Sequence, residues 1–366
     1  MQLALPLLLI LSFDYLANGA PIGPQDLTQC LNASDIVDCC MLLPRKKVIK
    51  FSFDLYPHVN RVRRPAQLVD ATYIEKYKRA YELMRALPSN DPRSLPRQGD
   101  AHCSMCTGSY YQPGTKALLH VHYSWLFFPW HRWFIYFHER ILAKLLGDPS
   151  FALPFWNWDN QFDGNSMHVY FDDENSALYD PNRDATHAPP ALIQLNGDFN
   201  ITNNRAIVIN NLNQMYRDVV APSDAATFMG GVFRKGDSYP SIDAQSKAIG
   251  GVFDNEVHGN VHIWEGNPLL PNNIDMGSFD RAARDPIFYA HHANVDRLWE
   301  VWRTSLPNGP RPLFDDPDFL NSSFIFYDEN QDLVKVTVRD SLDNRRLDIF
   351  YASVPADGLW IHHKNP

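Results

Sequence analysis

The first apolar block of the chain, Leu3 to Phe13, is nearly continuous; Asp14 breaks it, and the small residues Ala17, Gly19 and Ala20 follow. It is too short to cross a bilayer and fits the apolar part of a secretory signal peptide over residues 1–19, with cleavage near Gly19 or Ala20. A basic, proline-punctuated connector runs from Pro44 to Pro65. Leu68, Tyr73, Tyr77, Tyr81 and Met84 then recur near helical spacing and predict a helix from Leu68 to Leu87, ended by Pro88. Gln98 to Gly114 reads as loop. Pro129 to Leu146 predicts a second long helix, with the proline in its first turn and Gly147 at its end. Asp173 to Pro190 and Gly230 to Pro240 read as surface loops, and Asp254 to Trp264 and Asp285 to Trp302 as further helices. Beyond Pro307 the period changes. Ser323 to Tyr327 and Leu333 to Val338 alternate like strands around the turn-forming stretch from Asp328 to Gln331. With no internal repeat, the pattern predicts a mainly α fold with irregular loops over residues 20–310 and a small β-containing extension over residues 311–366.

Composition narrows this reading. At 366 residues, 45% hydrophobic and 20% charged, the chain is of ordinary globular make-up. A formal charge of -9 leaves no general attraction for nucleic acid or anionic membrane. No apolar run after the leader is long enough to span a bilayer, so no integral membrane segment is expected once the signal is removed. The sequons at Asn32, Asn200 and Asn321 support export and glycosylation. The five cysteines, Cys30, Cys39, Cys40, Cys103 and Cys106, all lie in the first third of the chain. In an oxidising compartment they allow two disulfides and one residue over. A zinc site is the weaker reading, because Cys103-x-x-Cys106 lacks a second matched pair. The odd cysteine is either a free thiol or bonded to something other than cysteine.

Histidine is abundant, at 14 residues, and its placement carries the chemistry. His258 and His262 are four apart in a helical segment, so their rings face the same way and suit one metal. A zinc hydrolase would need glutamate directly after the first of them, where Gly259 stands. The adjacent pair His291-His292 sits among Phe288, Tyr289, Leu298 and Trp299 in a helix that must be largely buried, where free imidazoles are costly. Asp296, four residues past His292, is placed to fix the tautomer of that ring. In the N-terminal half, His102, His122 and His131 form a matching set. His122 and His131 are nine apart and would oppose each other on one straight helix. A helix starting at Pro129 removes the conflict. His120 and His138 read as structural or surface residues. Two trios of imidazoles without carboxylate or thiolate favour copper, and two coppers a few ångström apart can bind O2 between them.

The stretches from His122 to Arg132, from Leu153 to Asp159 and from Asp285 to Trp299 closely resemble those of the tyrosinase and plant polyphenol oxidase family. The stretch from Asp316 to Leu320 and the one from Tyr327 to Asn330 resemble the short domain that follows its catalytic core. The likeness runs from about Ala20 to Tyr351. It implies a four-helix-bundle core holding two copper ions, one by His102, His122 and His131 and the other by His258, His262 and His292. It further implies a thioether from Cys106 to His122 and the bridges Cys30–Cys40 and Cys39–Cys103. Phe279 matches the aromatic gate above the second copper.

Three departures from the family pattern bear on activity. Asp254 stands where the family usually has a glutamate that holds an active-site water. Gly259 leaves the substrate entrance open. The chain ends at Pro366, without the large domain that covers the site in many family proenzymes. The resemblance implies oxidation of o-diphenols to o-quinones, with O2 reduced to water and weak hydroxylation of monophenols. Its partners would be small phenols and O2. A haemocyanin-like O2 carrier is the alternative. The short leader favours the secretory route, extracellular or vacuolar, over the thylakoid lumen.

Overall fold

The computed structural model describes residues 19–35, 37–238, 250–307, 309–354 and 357–363; all of the expected leader but Gly19 lies outside the described residues. The body is helical: α1 (Ala71–Arg85), α2 (Leu95–Cys106), α3 (Phe127–Leu146), α4 (Asn204–Met215), α5 (Ala225–Met229), α6 (Gly259–Glu265) and α7 (Ile287–Thr304). Two short helices, α8 (Pro317–Asn321) and α9 (Val338–Ser341), belong to the C-terminal part. α3 packs against both α1 and α7. Every residue of α3 from Phe127 to Ala143 is buried, as a helix apolar on all sides must be. It stops at Gly147, whose φ of 68° closes the last turn.

Helix boundaries move from their expected places for local reasons. α1 starts at Ala71 because the Asp70 side chain accepts the Tyr73 N–H at 2.8 Å and caps the helix there. Pro129 lies in the third position of α3 rather than at its start, still within the turn where no N–H is needed. The stretch expected as loop from Gln98 is different: it is helical as far as Cys106. Gly99 there marks a close approach, not a turn. A Cβ at this position would lie 2.7 Å from Cγ of Arg284, whose guanidinium pairs with Asp100 at 2.6 Å. A tertiary contact overrides the local Gly-Asp signal.

The strands β1 (Ile49–Lys50), β2 (Arg61–Arg63), β3 (Ser323–Tyr327), β4 (Leu333–Thr337) and β5 (Ile349–Tyr351) join the two ends of the chain. β3 and β4 form the expected antiparallel hairpin, and β1 adds to β4 in parallel. β2 pairs in parallel with β5. The C-terminal part is thereby pinned to the helical body, and Trp133 of α3 donates to the Thr337 carbonyl at 2.9 Å. Asn32, Asn200 and Asn321 are all exposed. No helix among the described residues is long and apolar enough to cross a membrane.

Candidate metal centre

Four helices, α2, α3, α6 and α7, and the turns leading into α3 and α6 bring the histidines together. α2 carries His102 and, one turn on, Cys106; the turn before α3 carries His122, and α3 itself His131. A π-helical turn, Asp254–His258, runs into α6 and supplies His258 and His262, while α7 supplies His291 and His292. Such wide turns are often found at functional sites. Ligand atoms of His102, Cys106, His122 and His131 all lie within 4.8 Å of one another, as do those of His258, His262, His291 and His292. The two groups adjoin: the His131 and His292 rings stack at 4.3 Å, and those of His122 and His258 at 5.9 Å.

Backbone carbonyls aim the rings. Nδ1 of His102 faces the Phe279 carbonyl at 3.1 Å, and that of His131 the Phe127 carbonyl at 2.8 Å. His258 faces the Asp254 carbonyl at 3.2 Å and His262 the Met276 carbonyl at 2.8 Å. A carbonyl only accepts, so in each ring Nδ1 carries the proton and Nε2 is left as a bare lone pair. Burial pushes His102 down to about 3 and pushes His122, His131, His262 and His292 well below the ordinary range, with neighbouring imidazoles adding to the effect. These rings are neutral at physiological pH.

That arrangement is a test of fit for a metal. Nε2 of His102 and of His131 are buried without a hydrogen-bond partner. Nε2 of His262 lies 3.1 Å from that of His258 and 3.4 Å from that of His292. In the tautomers the carbonyls impose, the lone pairs of His258 and His262 face each other and repel. A cation between them converts the repulsion into coordination. All-imidazole, neutral donor sets of this kind suit copper better than magnesium or calcium.

The structure separates the adjacent pair. Nε1 of Trp158 donates to Nδ1 of His291 at 3.1 Å. An indole only donates, so the His291 proton sits on Nε2, which has no lone pair to offer there. His292, stacked on His131, carries no such constraint. Trp158 is a site residue that the histidine spacing did not reveal; the Leu153 to Asp159 stretch was its only signal. Asp296 does not orient His292. Its carboxylate is taken up by Arg132 at 2.5 Å, Arg63 at 3.3 Å and the Tyr351 hydroxyl, and Nδ1 of His292 has no partner. Two buried guanidiniums outbid one neutral ring for that charge.

His120 and His138 are both buried rather than on the surface. His138 meets the Tyr81 hydroxyl at 2.9 Å and stacks on Tyr289. His120 accepts the His122 N–H at 3.2 Å and hydrogen-bonds the backbone of Cys106, tying together the two segments beneath the first trio. The disulfides Cys30–Cys40 and Cys39–Cys103 are present, the second fastening the N-terminal segment to α2. Cys106 is a free, buried thiol, held protonated by burial.

Asp254 is buried beside both trios, grouped with His122 and His258. One carboxylate oxygen accepts the Tyr123 N–H; the other lies 3.2 Å from Nδ1 of His258 and accepts no hydrogen bond. Gly259 has open space: a Cβ there would meet only the Asp254 carbonyl, at 3.5 Å. The Phe279 ring lies against His122 of the first trio at 4.8 Å, and its carbonyl orients His102. One turn beyond His262, burial pushes Glu265 up to about 8 despite Arg183 at 3.7 Å. The folded state therefore holds this proton more tightly than the unfolded state, whose value is near 4.5. Its contribution to stability falls as pH rises from about 4.5 to 8. Glu265→Gln should leave the melting temperature unchanged below pH 4.5 and raise it by about 3 °C or more at pH 8.5. Equal shifts at both pH values would refute this assignment.

The site and fold define a histidine-rich, mainly helical metalloprotein of the paired-metal type. The pattern described as the common central domain of tyrosinase matches residues 92–305, and that of the polyphenol oxidase middle domain matches residues 314–365. The chain belongs to the tyrosinase family, among the polyphenol oxidases of plants. It is 44% identical over 348 residues to aureusidin synthase of Antirrhinum majus, covering 91% of this chain and 60% of that protein. It is 42% identical to a chloroplastic polyphenol oxidase of Malus domestica, covering 96% of this chain and 58% of that one. The crystal structure of Grenache (Vitis vinifera) polyphenol oxidase superposes with a TM-score of 0.85 at 41% identity, over 92% of this chain and 99% of that one. The chain thus spans about three fifths of the length of those curated relatives.

Proposed function

We propose that this chain oxidises o-diphenols to o-quinones, two catechols per O2 with two waters formed, at a dicopper centre. His102, His122 and His131 would hold one copper, and His258, His262 and His292 the other. The observation that carries the reading is the set of carbonyl-fixed rings whose bare Nε2 atoms converge. Bound copper would supply the electron transfer between phenol and O2. The protein's part is positional. The Phe127, Asp254, Met276 and Phe279 carbonyls hold the ring tautomers, and burial keeps His102, His122, His131, His262 and His292 neutral. The free oxygen of Asp254 is placed to hold a water that takes the phenolic proton. Phe279 would stack on the entering ring, and Gly259 would leave the entrance open. Asp254 is shorter than glutamate, so hydroxylation of monophenols should be much weaker than oxidation of catechols.

Residues 20–310 would form the catalytic domain and residues 311–366 a middle domain after it. Cys106 would join His122 by a thioether, its S–H and a ring C–H giving a C–S bond as two hydrogens pass to O2. Full reduction of the copper-loaded protein should then leave a mass two hydrogens below that of the chain. A fifth titratable thiol would exclude the bond. The leader favours a secretory destination, extracellular or vacuolar; the chloroplastic names of several relatives are consistent with the lumenal alternative.

The deciding experiment measures copper content and O2 uptake with catechol and tyrosine side by side. Two coppers per chain and uptake with catechol are expected, with far slower uptake on tyrosine. Asp254→Glu should raise the tyrosine-to-catechol ratio. One zinc and no copper, or reversible O2 binding without turnover, would overturn the proposal.

A further inference from the structure

A cavity of about 380 Å³ opens near the C-terminal end of α3, between that helix, the segment entering β2 and the β3–β4 turn. Its walls include Leu55, Val59, Arg61, Ala143, Lys144 and Glu329. Arg61 is only 3% exposed, yet its Nε has no hydrogen-bond partner. None of the ion pairs among the described residues includes it, whereas Arg63, Arg132, Arg140, Arg183 and Arg297 each meet a carboxylate. No described carboxylate comes within ion-pair distance of Arg61. Oε2 of Glu139 accepts from Arg63 at 2.8 Å and from the Leu153 N–H at 2.9 Å, and its buried Oε1 has no hydrogen-bond partner. Glu329 gives both oxygens to Arg140. Lys144, exposed at the rim, makes no ion pair with a described residue.

The cavity therefore gathers three cationic groups, from Arg61, Arg140 and Lys144, against the single carboxylate of Glu329, in a chain of net charge -9. A guanidinium cannot shed its proton to escape burial, and burying it without an anion is costly. Apart from Asn330, the rest of the wall is largely apolar, with Leu55, Val59, Ala143 and the Tyr56 ring that lies under Arg140. The volume is that of a small-molecule site. We propose that this cavity binds a small amphipathic carboxylate, its head paired with Arg61 and Lys144 and its short tail laid on Leu55, Val59 and Ala143. Arg140 lies nine residues beyond His131 on α3, about 13 Å along the helix. The site is thus separate from the histidine centre and does not depend on its chemistry.

Titration calorimetry of the full chain with sodium hexanoate tests the proposal, with acetate, hexan-1-ol and hexylammonium as controls. Hexanoate should bind at one saturable site and raise the melting temperature, and each control should bind at least about 10-fold more weakly. Arg61→Met should weaken hexanoate at least about 10-fold without lowering the ligand-free melting temperature, because no ion pair is lost. Lys144→Ala should weaken it less. If Arg61→Met does not fold, Val59→Trp, which fills the apolar wall, should abolish binding while catechol turnover stays intact. Unchanged hexanoate affinity in Arg61→Met or in Val59→Trp, or acetate binding as tightly as hexanoate, overturns it.

Discussion

Replacing His131 or His258 with alanine is expected to lower bound copper from two to one or fewer per chain and to cut catechol oxidation by roughly 1000-fold or more. In the proposed centre each ring is one of three nitrogen donors to one copper, and each is held by a carbonyl at 2.8 Å (His131) or 3.2 Å (His258). Removing one leaves two donors and an open position, which loses both affinity and geometry. His291→Asn should behave differently. Nδ1 of His291 is occupied by the Trp158 indole, so the ring offers its proton rather than a lone pair toward the site. Copper content should stay at two in that variant. The measurement is metal analysis of the purified, folded variants with O2 uptake alongside. Full copper in His258→Ala, or copper loss in His291→Asn with the fold intact, would contradict the tautomer argument.

Asp296→Ala is expected to destabilise the protein by about 3–5 kcal/mol, with copper content of the folded fraction unchanged. Asp296 lies between Arg132 and Arg63, two guanidiniums with no exposed surface, and also accepts from the Tyr351 hydroxyl. Those residues come from α7, α3, β2 and β5, so one carboxylate joins the helical body to both ends of the chain. Its removal leaves Arg132 without its closest anion, while Glu139 still serves Arg63 at 2.8 Å. Denaturant unfolding followed by metal analysis reads both quantities. Normal stability together with loss of copper would return to Asp296 the ring-orienting role that its spacing from His292 suggests.

Much of the centre was legible in the chain because its signals are local. His258 and His262 lie one turn apart in a stretch expected to be helical, whereas the same spacing of His102 and Cys106 on α2 falls where loop was expected. Glycine after His258 argued against a zinc hydrolase, and the helix start expected between His122 and His131 is present, though at Phe127 rather than Pro129. The strands from Ser323 and Leu333 showed their alternation and pair as expected. Where inference failed, a distant partner decided. Gly99 looks like a loop signal, and only Arg284, packed on the same spot, explains a helix there. For His120 and His138, read from the sequence as structural or surface residues, burial selects the structural alternative.

By itself, then, the sequence determined the helical body, the β-containing C-terminal part and most of the histidines that gather in two groups, because helical period, turn residues and donor type act within a few residues. The tertiary structure alone decided the tautomers, the separation of His291 from His292, the capture of Asp296 by Arg132 and Arg63, and the unpaired burial of Arg61. Each of these is a competition between groups far apart in the chain for one hydrogen or one charge. Short-range spacing shows which groups can reach a partner, and only the packed chain shows which of them obtains it.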